Sequence, residues 1–263
     1  MIACDNGKQL SVDEVIGKIY RTGTVVGQTG KVHELHSAID PEEGQCLVGV
    51  IRDDSTVRKT LEVGCAYGLS SLYICGALSG RVGASHTIID AWENDPNDGW
   101  DGAGIRNLRE AGITFFRLIE KRSEFALPRL LEEGEGTFDF VFIDGWHTFD
   151  HTLLDCFYAT RLLRVGGYLA IDDVSWLSVG RVVAYLSNYP CYQLYRSVET
   201  DKPRSWRRRI AKNVLAVCPR KAADAILSQN VCRRIFENRL RRLAVLKKTS
   251  KDERGWQWHV DSF

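Results

Sequence analysis

The sequence predicts an α/β fold: a mostly parallel sheet with helices on both faces. Three observations lead there. Between about residues 41 and 190, short apolar runs of strand length alternate with longer runs of helical period. The strand-length runs "TLEV", "TIID" and "FDFVFID" are apolar almost throughout, as in strands covered on both faces. Glycines punctuate the joints, as in "EVGCAYG" and "RVGGY", and repeated strand–helix alternation of this kind builds parallel sheets.

The elements follow in order. "PEEGQCLVGVIRD" (41–53) reads as a helix, with Pro41 in its first turn and Leu47, Val48, Val50 and Ile51 apolar. "KTLEVG" is a short buried strand, and "LSSLYICGALS" a helix apolar nearly all round. "SHTIIDAW" is the next strand, followed by the helix "GAGIRNLREAG", stopped by Gly112. "ITFFRLIE" is a strand and "SEFALPRLLEE" a helix interrupted by Pro128. "FDFVFID" is the fourth strand. "FDHTLLDCFYATRLL" is a helix with Leu153, Leu154, Phe157, Tyr158 and Leu162 on one face. "RVGGYLAIDD" gives a glycine turn and fifth strand, and "VGRVVAYLSNY" a helix. "CYQLYRSV" and "RLAVLKKT" are two further strands separated by about forty basic, helical residues. The organisation is an N-terminal helical cap (1–40), a core (41–198), a basic helical insertion (199–240), and a last strand with its tail (241–263).

Composition bounds the function. With 44% hydrophobic and 26% charged residues the chain has the make-up of a soluble globular protein. No apolar run approaches the roughly 20 residues that span a bilayer, and the N-terminus has no apolar signal core, so a cytoplasmic location is expected. The eight cysteines form no C-x-x-C pair, which favours reduced thiols over disulfides or zinc. Net charge is +1 but uneven. Residues 1–195 hold 17 Lys and Arg against 27 Asp and Glu, and residues 196–249 hold 16 against 4. A basic block beside an acidic body suggests either self-docking or an anionic partner.

Ligands of open parallel sheets bind beyond the carboxyl ends of the strands. After the first strand, Gly64 and Gly68 of "LEVGCAYGLSS" flank a tight turn into a helix, where small residues let a ligand approach backbone N–H groups. The stretch is not G-x-G-x-x-G, which argues against a nicotinamide dinucleotide. Glu62 would repel a phosphate, so a zwitterionic or cationic ligand fits better. After the second strand stands Asp90, placed to accept both hydroxyls of a ribose. After the third comes Ser123, able to meet an adenine edge or simply to cap a helix. After the fourth and fifth come Asp144 and the pair Asp172–Asp173. Three converging carboxylates repel one another unless a hard divalent cation joins them. A solvated acidic rim, or an Asp172 that caps the next helix, would account for the same residues.

In this order the motifs resemble the class I S-adenosylmethionine-dependent methyltransferases. Within that class the chain is similar to the metal-dependent O-methyltransferases of the catechol and caffeoyl-coenzyme A type, and to the macrocin and antibiotic-sugar group. The supporting pieces are "AIDPEEGQCL", "LEVGCAYGLSSL", "TIIDAWEND", "LIEKRSE", "FVFIDGWHTFD" and "LLRVGGYLAIDDVSW", over about residues 38–190. The resemblance implies a Rossmann-like seven-stranded, mostly parallel sheet, with the basic insertion between the last two strands near the substrate mouth. It implies that Glu62, Gly64, Gly68 and Ser70 surround the methionine end of the cofactor, Asp90 its ribose and Ser123 its adenine, with Asp144 also at the cofactor. It implies Mg2+ on Asp144, Asp172 and Asp173. His147 falls where catechol-type enzymes carry a catalytic lysine, while sugar-modifying relatives show the acid-glycine-x-His of "DGWH".

The expected activity is methyl transfer from S-adenosylmethionine to a hydroxyl of a sugar, glycoside or phenol, with metal assistance, Asp144 as ligand and His147 as base. Trp92, Trp100, Trp146 and Trp176 follow strand ends and suit a ring-shaped acceptor, or pack under loops. Alternatives are a metal-independent methyltransferase, a related cofactor-binding protein, or a nucleic-acid enzyme using the basic insertion. The absence of an Asp/Asn-Pro-Pro-aromatic motif speaks against the last. The resemblance also implies a homodimer or higher homo-oligomer.

Overall fold

The computed structural model describes residues 9–134, 137–199, 238 and 240–260. Seven strands form one sheet in the order β5-β4-β3-β6-β7-β9-β8, and a separate two-stranded sheet pairs β1 with β2. This is the α/β, Rossmann-like sheet expected. Two compact units divide the chain between Val141 and Phe142.

The first unit opens with α1 (Val12–Thr22). Ser11 and Glu14 form a reciprocal capping box, Val15, Ile16 and Ile19 are buried, and Gly23 ends the helix in the left-handed region. β1 (Thr24–Val26) and β2 (Val32–Glu34) then form an antiparallel hairpin in the N-terminal segment, read from the sequence as helical. Asp40 and Glu43 cap α2 (Pro41–Asp53), with Pro41 in its first turn as expected. β3 (Lys59–Val63), β4 (Ser85–Ile89) and β5 (Phe116–Ile119) are parallel neighbours, with Leu61 opposite Thr87 and Ile89 opposite Ile119. Between them lie α3 (Leu69–Leu78) and α4 (Ala103–Glu110).

α5 (Ser123–Glu132) continues through Pro128, where the sequence suggests an interruption. Proline there removes one N–H bond, and burial of Ala126, Leu127 and Leu130 around it holds the helix together. β6 (Phe138–Ile143) is buried at Phe140, Val141 and Phe142.

In the second unit α6 (Phe149–Leu162) leads into β7 (Leu163–Ile171), followed by α7 (Leu177–Leu186), β8 (Tyr192–Glu199) and β9 (Arg241–Lys248). β9 is antiparallel to both β7 and β8, the one reversed strand that the resemblance implies. The basic insertion expected at 199–240 lies almost wholly outside the described residues. The tail after β9 forms neither strand nor helix up to Val260. Its Arg254 guanidinium sits 3.2 Å above the Tyr189 ring and pairs with Asp252, and Trp258 packs on Tyr189. Cys46, Cys65, Cys75, Cys156 and Cys191 are free thiols. No helix among the described residues is long and apolar enough to cross a membrane.

Phe140→Ala empties a fully buried position on β6 and is expected to lower the unfolding free energy by about 3–5 kcal/mol, read from equilibrium urea denaturation.

Candidate functional site

In the first unit the candidate site is the turn from β3 into α3. Gly64 takes φ +89° and donates its N–H to Ile89 O at 2.9 Å. Gly68 caps α3 at φ +75°, and a Cβ on it would lie 2.8 Å from the Gly104 backbone. A Cβ on Gly104 would in turn lie 2.7 Å from Ala66 O. The turn is therefore pressed backbone to backbone against the start of α4, which only glycine on both sides permits.

Asp90 holds this turn. One carboxylate oxygen accepts the N–H groups of Cys65 and Ala66 at 2.9 and 3.3 Å, and the other accepts Trp92 N–H at 2.9 Å. Three of roughly four acceptor positions of the carboxylate are thus taken by backbone.

Glu62, expected at the ligand, points into the interior and is completely buried. It accepts the Ser71 hydroxyl and lies 2.9 Å from His86 Nε2, while His86 Nδ1 lies 2.8 Å from the Thr60 hydroxyl. Its second oxygen, Oε1, has no hydrogen-bond partner among the described residues. Ser70 is buried in the first turn of α3. Ser123 is the first residue of α5 and half-exposed, with Arg122 in the N-cap position.

Sequence reasoning missed Glu93. It is fully buried, accepts Ile105 N–H at 2.9 Å at the start of α4, and leaves Oε2 without a hydrogen-bond partner among the described residues. Burial pushes its pKa up to about 8, the Asp90 charge adding to the effect against the backbone N–H groups of Ile105 and Gly104. Burial and the same acids push the Cys65 thiol well up, Glu93 the foremost among them. Also unforeseen is the clasp of the hairpin on the approach to α4. Asp101 accepts the Thr29 N–H and hydroxyl and meets His33 Nε2 at 3.2 Å. Trp100 packs edge-on against Tyr67, and the Tyr67 hydroxyl meets His36 Nε2 at 2.7 Å.

In the second unit Asp144, His147 and Asp173 converge, with ligand atoms all within 4.8 Å of one another. His147 Nε2 lies 3.3 Å from Asp144 and 3.1 Å from Asp173. Asp144 sits just beyond β6, and Asp173 adopts φ +51° just beyond β7. Ser178 donates to His147 O at 2.6 Å, and the Trp176 ring tilts over the imidazole at 5.4 Å. Trp146 stacks on His151 and is half exposed, as is Trp176. The third expected acid, Asp172, is buried and does not join this group; its backbone N–H donates to Ile143 O at 3.0 Å. The residues brought together are thus two carboxylates and an imidazole instead of three carboxylates. The hydrogen bond to Asp144 raises the His147 pKa above 6.5, partly opposed by burial and reinforced by the charges of Asp144 and Asp173.

A model of a methyltransferase domain, Methyltransf_24, matches residues 61–174. The match covers 114 of the 263 residues. The chain is 31% identical over 147 residues to tricin synthase 2 of Oryza sativa subsp. japonica, covering 52% of this chain and 44% of that protein. It is 30% identical over 122 residues to probable caffeoyl-CoA O-methyltransferase 3 of Dictyostelium discoideum, covering 44% of each. To the catechol O-methyltransferase of Niastella koreensis it is 27% identical over 191 residues, covering 70% of this chain and 80% of that protein. It thus spans less than half the length of the first two. The fold of the methyltransferase domain is shared with an O-methyltransferase from Bacillus cereus in complex with SAH (TM-score 0.57, 17% identity, 75% of this chain and 87% of that one). It is shared also with TomG from Streptomyces achromogenes (TM-score 0.56, 20% identity, 74% and 84%).

Two titrations check this electrostatic account. In NMR the His147 imidazole is expected to titrate above 6.5, and Asp144→Asn to bring it down. Because this raised pKa belongs to the folded state, its stabilisation is complete below about 6.5 and is lost as pH rises through the folded value. Glu93 has the opposite charge type: the folded state keeps a proton that the unfolded chain has lost between about 4.5 and 8. Its contribution to stability therefore declines as pH rises through that window. Glu93→Gln is expected to flatten that part of the slope in urea denaturation measured from pH 5 to 8.

Proposed function

We propose that the chain is an S-adenosylmethionine-dependent O-methyltransferase acting on a small-molecule hydroxyl. The observation that carries this is the Asp144–His147–Asp173 cluster, half-exposed at strand ends within a methyltransferase domain. A phenolic acceptor is preferred over a sugar, supported by the names of the tricin, caffeoyl-CoA and catechol relatives and by the half-exposed Trp146 and Trp176.

When bound, S-adenosylmethionine supplies a methyl group already activated by its sulfonium. The turn fits such a ligand: it offers a helix N-terminus and close backbone, and Glu62, Asp90 and Glu93 make its surroundings acidic. Asp90, with three bonds already made to backbone, has room for about one ribose hydroxyl. Ser123, half-exposed at the start of α5, is free to meet an adenine edge. His147 takes the hydroxyl proton, and the carboxylates of Asp144 and Asp173, which accept from its Nε2–H, stabilise the imidazolium that forms. Trp176 packs on the imidazole and helps fix its ring plane.

Asp144, Asp173 and His147 have donor chemistry that fits a divalent cation such as magnesium or manganese. A bound cation would polarise the acceptor oxygen and lower the pKa of its hydroxyl. A metal-free reaction is the second reading, favoured by His147 Nε2 lying within 3.3 Å of both carboxylates, where a protonated imidazole offsets part of their charge without an ion.

The test is release of S-adenosylhomocysteine from a panel of phenols and glycosides, with and without EDTA. His147→Ala is expected to lower kcat/KM about 10²–10⁴-fold. Loss of turnover in EDTA, restored by magnesium or manganese, supports the cation; full turnover in EDTA supports the metal-free reaction. No S-adenosylmethionine binding in calorimetry would reject the activity altogether.

A further inference from the structure

We propose that Glu93 makes the turn between β3 and α3 charge-selective. It keeps its proton when the site is free or holds a neutral thioether, and releases it when a sulfonium cation binds. The inference rests on S-adenosylmethionine being the methyl donor and adds how the site tells that donor from its uncharged product.

The geometry is unusual for a carboxyl group. Glu93 is 0% exposed and stands behind the turn, its Oε1 bound to Ile105 N–H. Oε1 lies where a Cβ on Gly104 would meet it at 3.1 Å, beside Cys65 Sγ at 2.9 Å and Ala66 O at 2.7 Å from the same point. The carboxyl is therefore packed against the atoms that form the turn. The other oxygen, Oε2, is buried and has no hydrogen-bond partner among the described residues.

The groups bearing on Glu93 are known from each neighbouring element. Asp90, beyond β4, opposes its ionisation; Cys65, beyond β3, contributes a thiol hydrogen bond; α4 presents the N–H groups of Gly104 and Ile105. Among the described residues, no Lys, Arg or His is one of the main groups that shift it. An ionised carboxylate buried beside another acid with no cation is costly, so the neutral form prevails. Its pKa of about 8 agrees with this.

A ligand cation at the turn supplies the missing charge. In a poorly solvated shell, charges several ångströms apart interact far more strongly than in water. Sulfonium binding therefore favours the Glu93 carboxylate and sends its proton to solvent. By linkage, donor affinity then rises with pH up to about 8, by at most tenfold per unit. A neutral thioether gives no such effect. After methyl transfer Glu93 recovers a proton from solvent, and the product loses the charge interaction that held the donor.

Isothermal calorimetry tests this on the full chain. S-adenosylmethionine and S-adenosylhomocysteine are titrated at pH 6.5 and 7.5, each in two buffers of different ionisation enthalpy. The α-amino group of each ligand titrates alike in wild type and Glu93→Gln, so the difference between the proteins isolates Glu93. The expected result is extra proton release, up to one per site, for the donor alone in wild type, with a donor-to-product affinity ratio that rises several-fold between the two pH values. In Glu93→Gln the extra release disappears and the ratio stays flat. Equal release for both ligands in wild type, or a difference that persists in the variant, overturns the inference. Infrared difference spectra of wild type give a readout without mutation: the carbonyl band of a protonated carboxyl must fall on donor binding and stay on product binding, and a band unchanged by both overturns it. If neither ligand binds wild type, the methyl-donor reading itself fails.

Discussion

The first unit depends on one interaction: the Asp90 carboxylate accepting three backbone N–H groups. Hydrogen bonds to a charged group contribute about 1.5–3 kcal/mol each, enough to fix a turn that glycine otherwise leaves loose. With Cys65 and Ala66 anchored, Gly68 is brought against Gly104, and the turn and the start of α4 become a single backbone surface. The same anchoring places Cys65 beside Glu93 and gives that acid its surroundings.

Two solutions to stranded acid coexist in the chain. In the first unit Glu62 and Glu93 are sealed from water and satisfied by neighbours: Ser71 and His86 for the first, α4 backbone for the second. Each still keeps one oxygen without a hydrogen-bond partner among the described residues. In the second unit Asp144 and Asp173 keep 26% and 38% of their side-chain surface, enough to meet an ion from solvent. The sealed acids can only respond to charge that arrives beside them. The open ones can bind it directly.

Much of this was legible in the sequence, for physical reasons. Apolar strands buried on both faces carry a strong signal, and β3, β4, β6 and β7 all came through it. Asp144 and His147 were legible because an acid ending an apolar strand needs a partner. The β1–β2 hairpin was not, since two strands of three residues are too short to show a period. Glu62 misled because its place before a glycine suggests the loop. Strand period two instead sets it on the face of Thr60, whose register partner is His86, where it meets His86 and Ser71 of α3. The polar His86 in "SHTIID" was the available signal of that buried network. Glu93 left no trace, because an acid among Trp92, Asn94 and Asp95 reads as a solvated loop.

The His147 position sets a tension within the second unit. The two carboxylates that make the imidazole a stronger base also make it hold a proton more often at neutral pH. A base must be vacant to accept, so the arrangement is productive only on the alkaline side of its raised pKa, or when Asp144 and Asp173 are engaged elsewhere. The three residues are therefore not additive contributors: the carboxylates determine both how strongly His147 accepts a proton and how often it is free to do so. Their half-exposure lets solvent, acceptor or ion shift that balance, which a sealed triad like Glu62–His86–Ser71 does not allow.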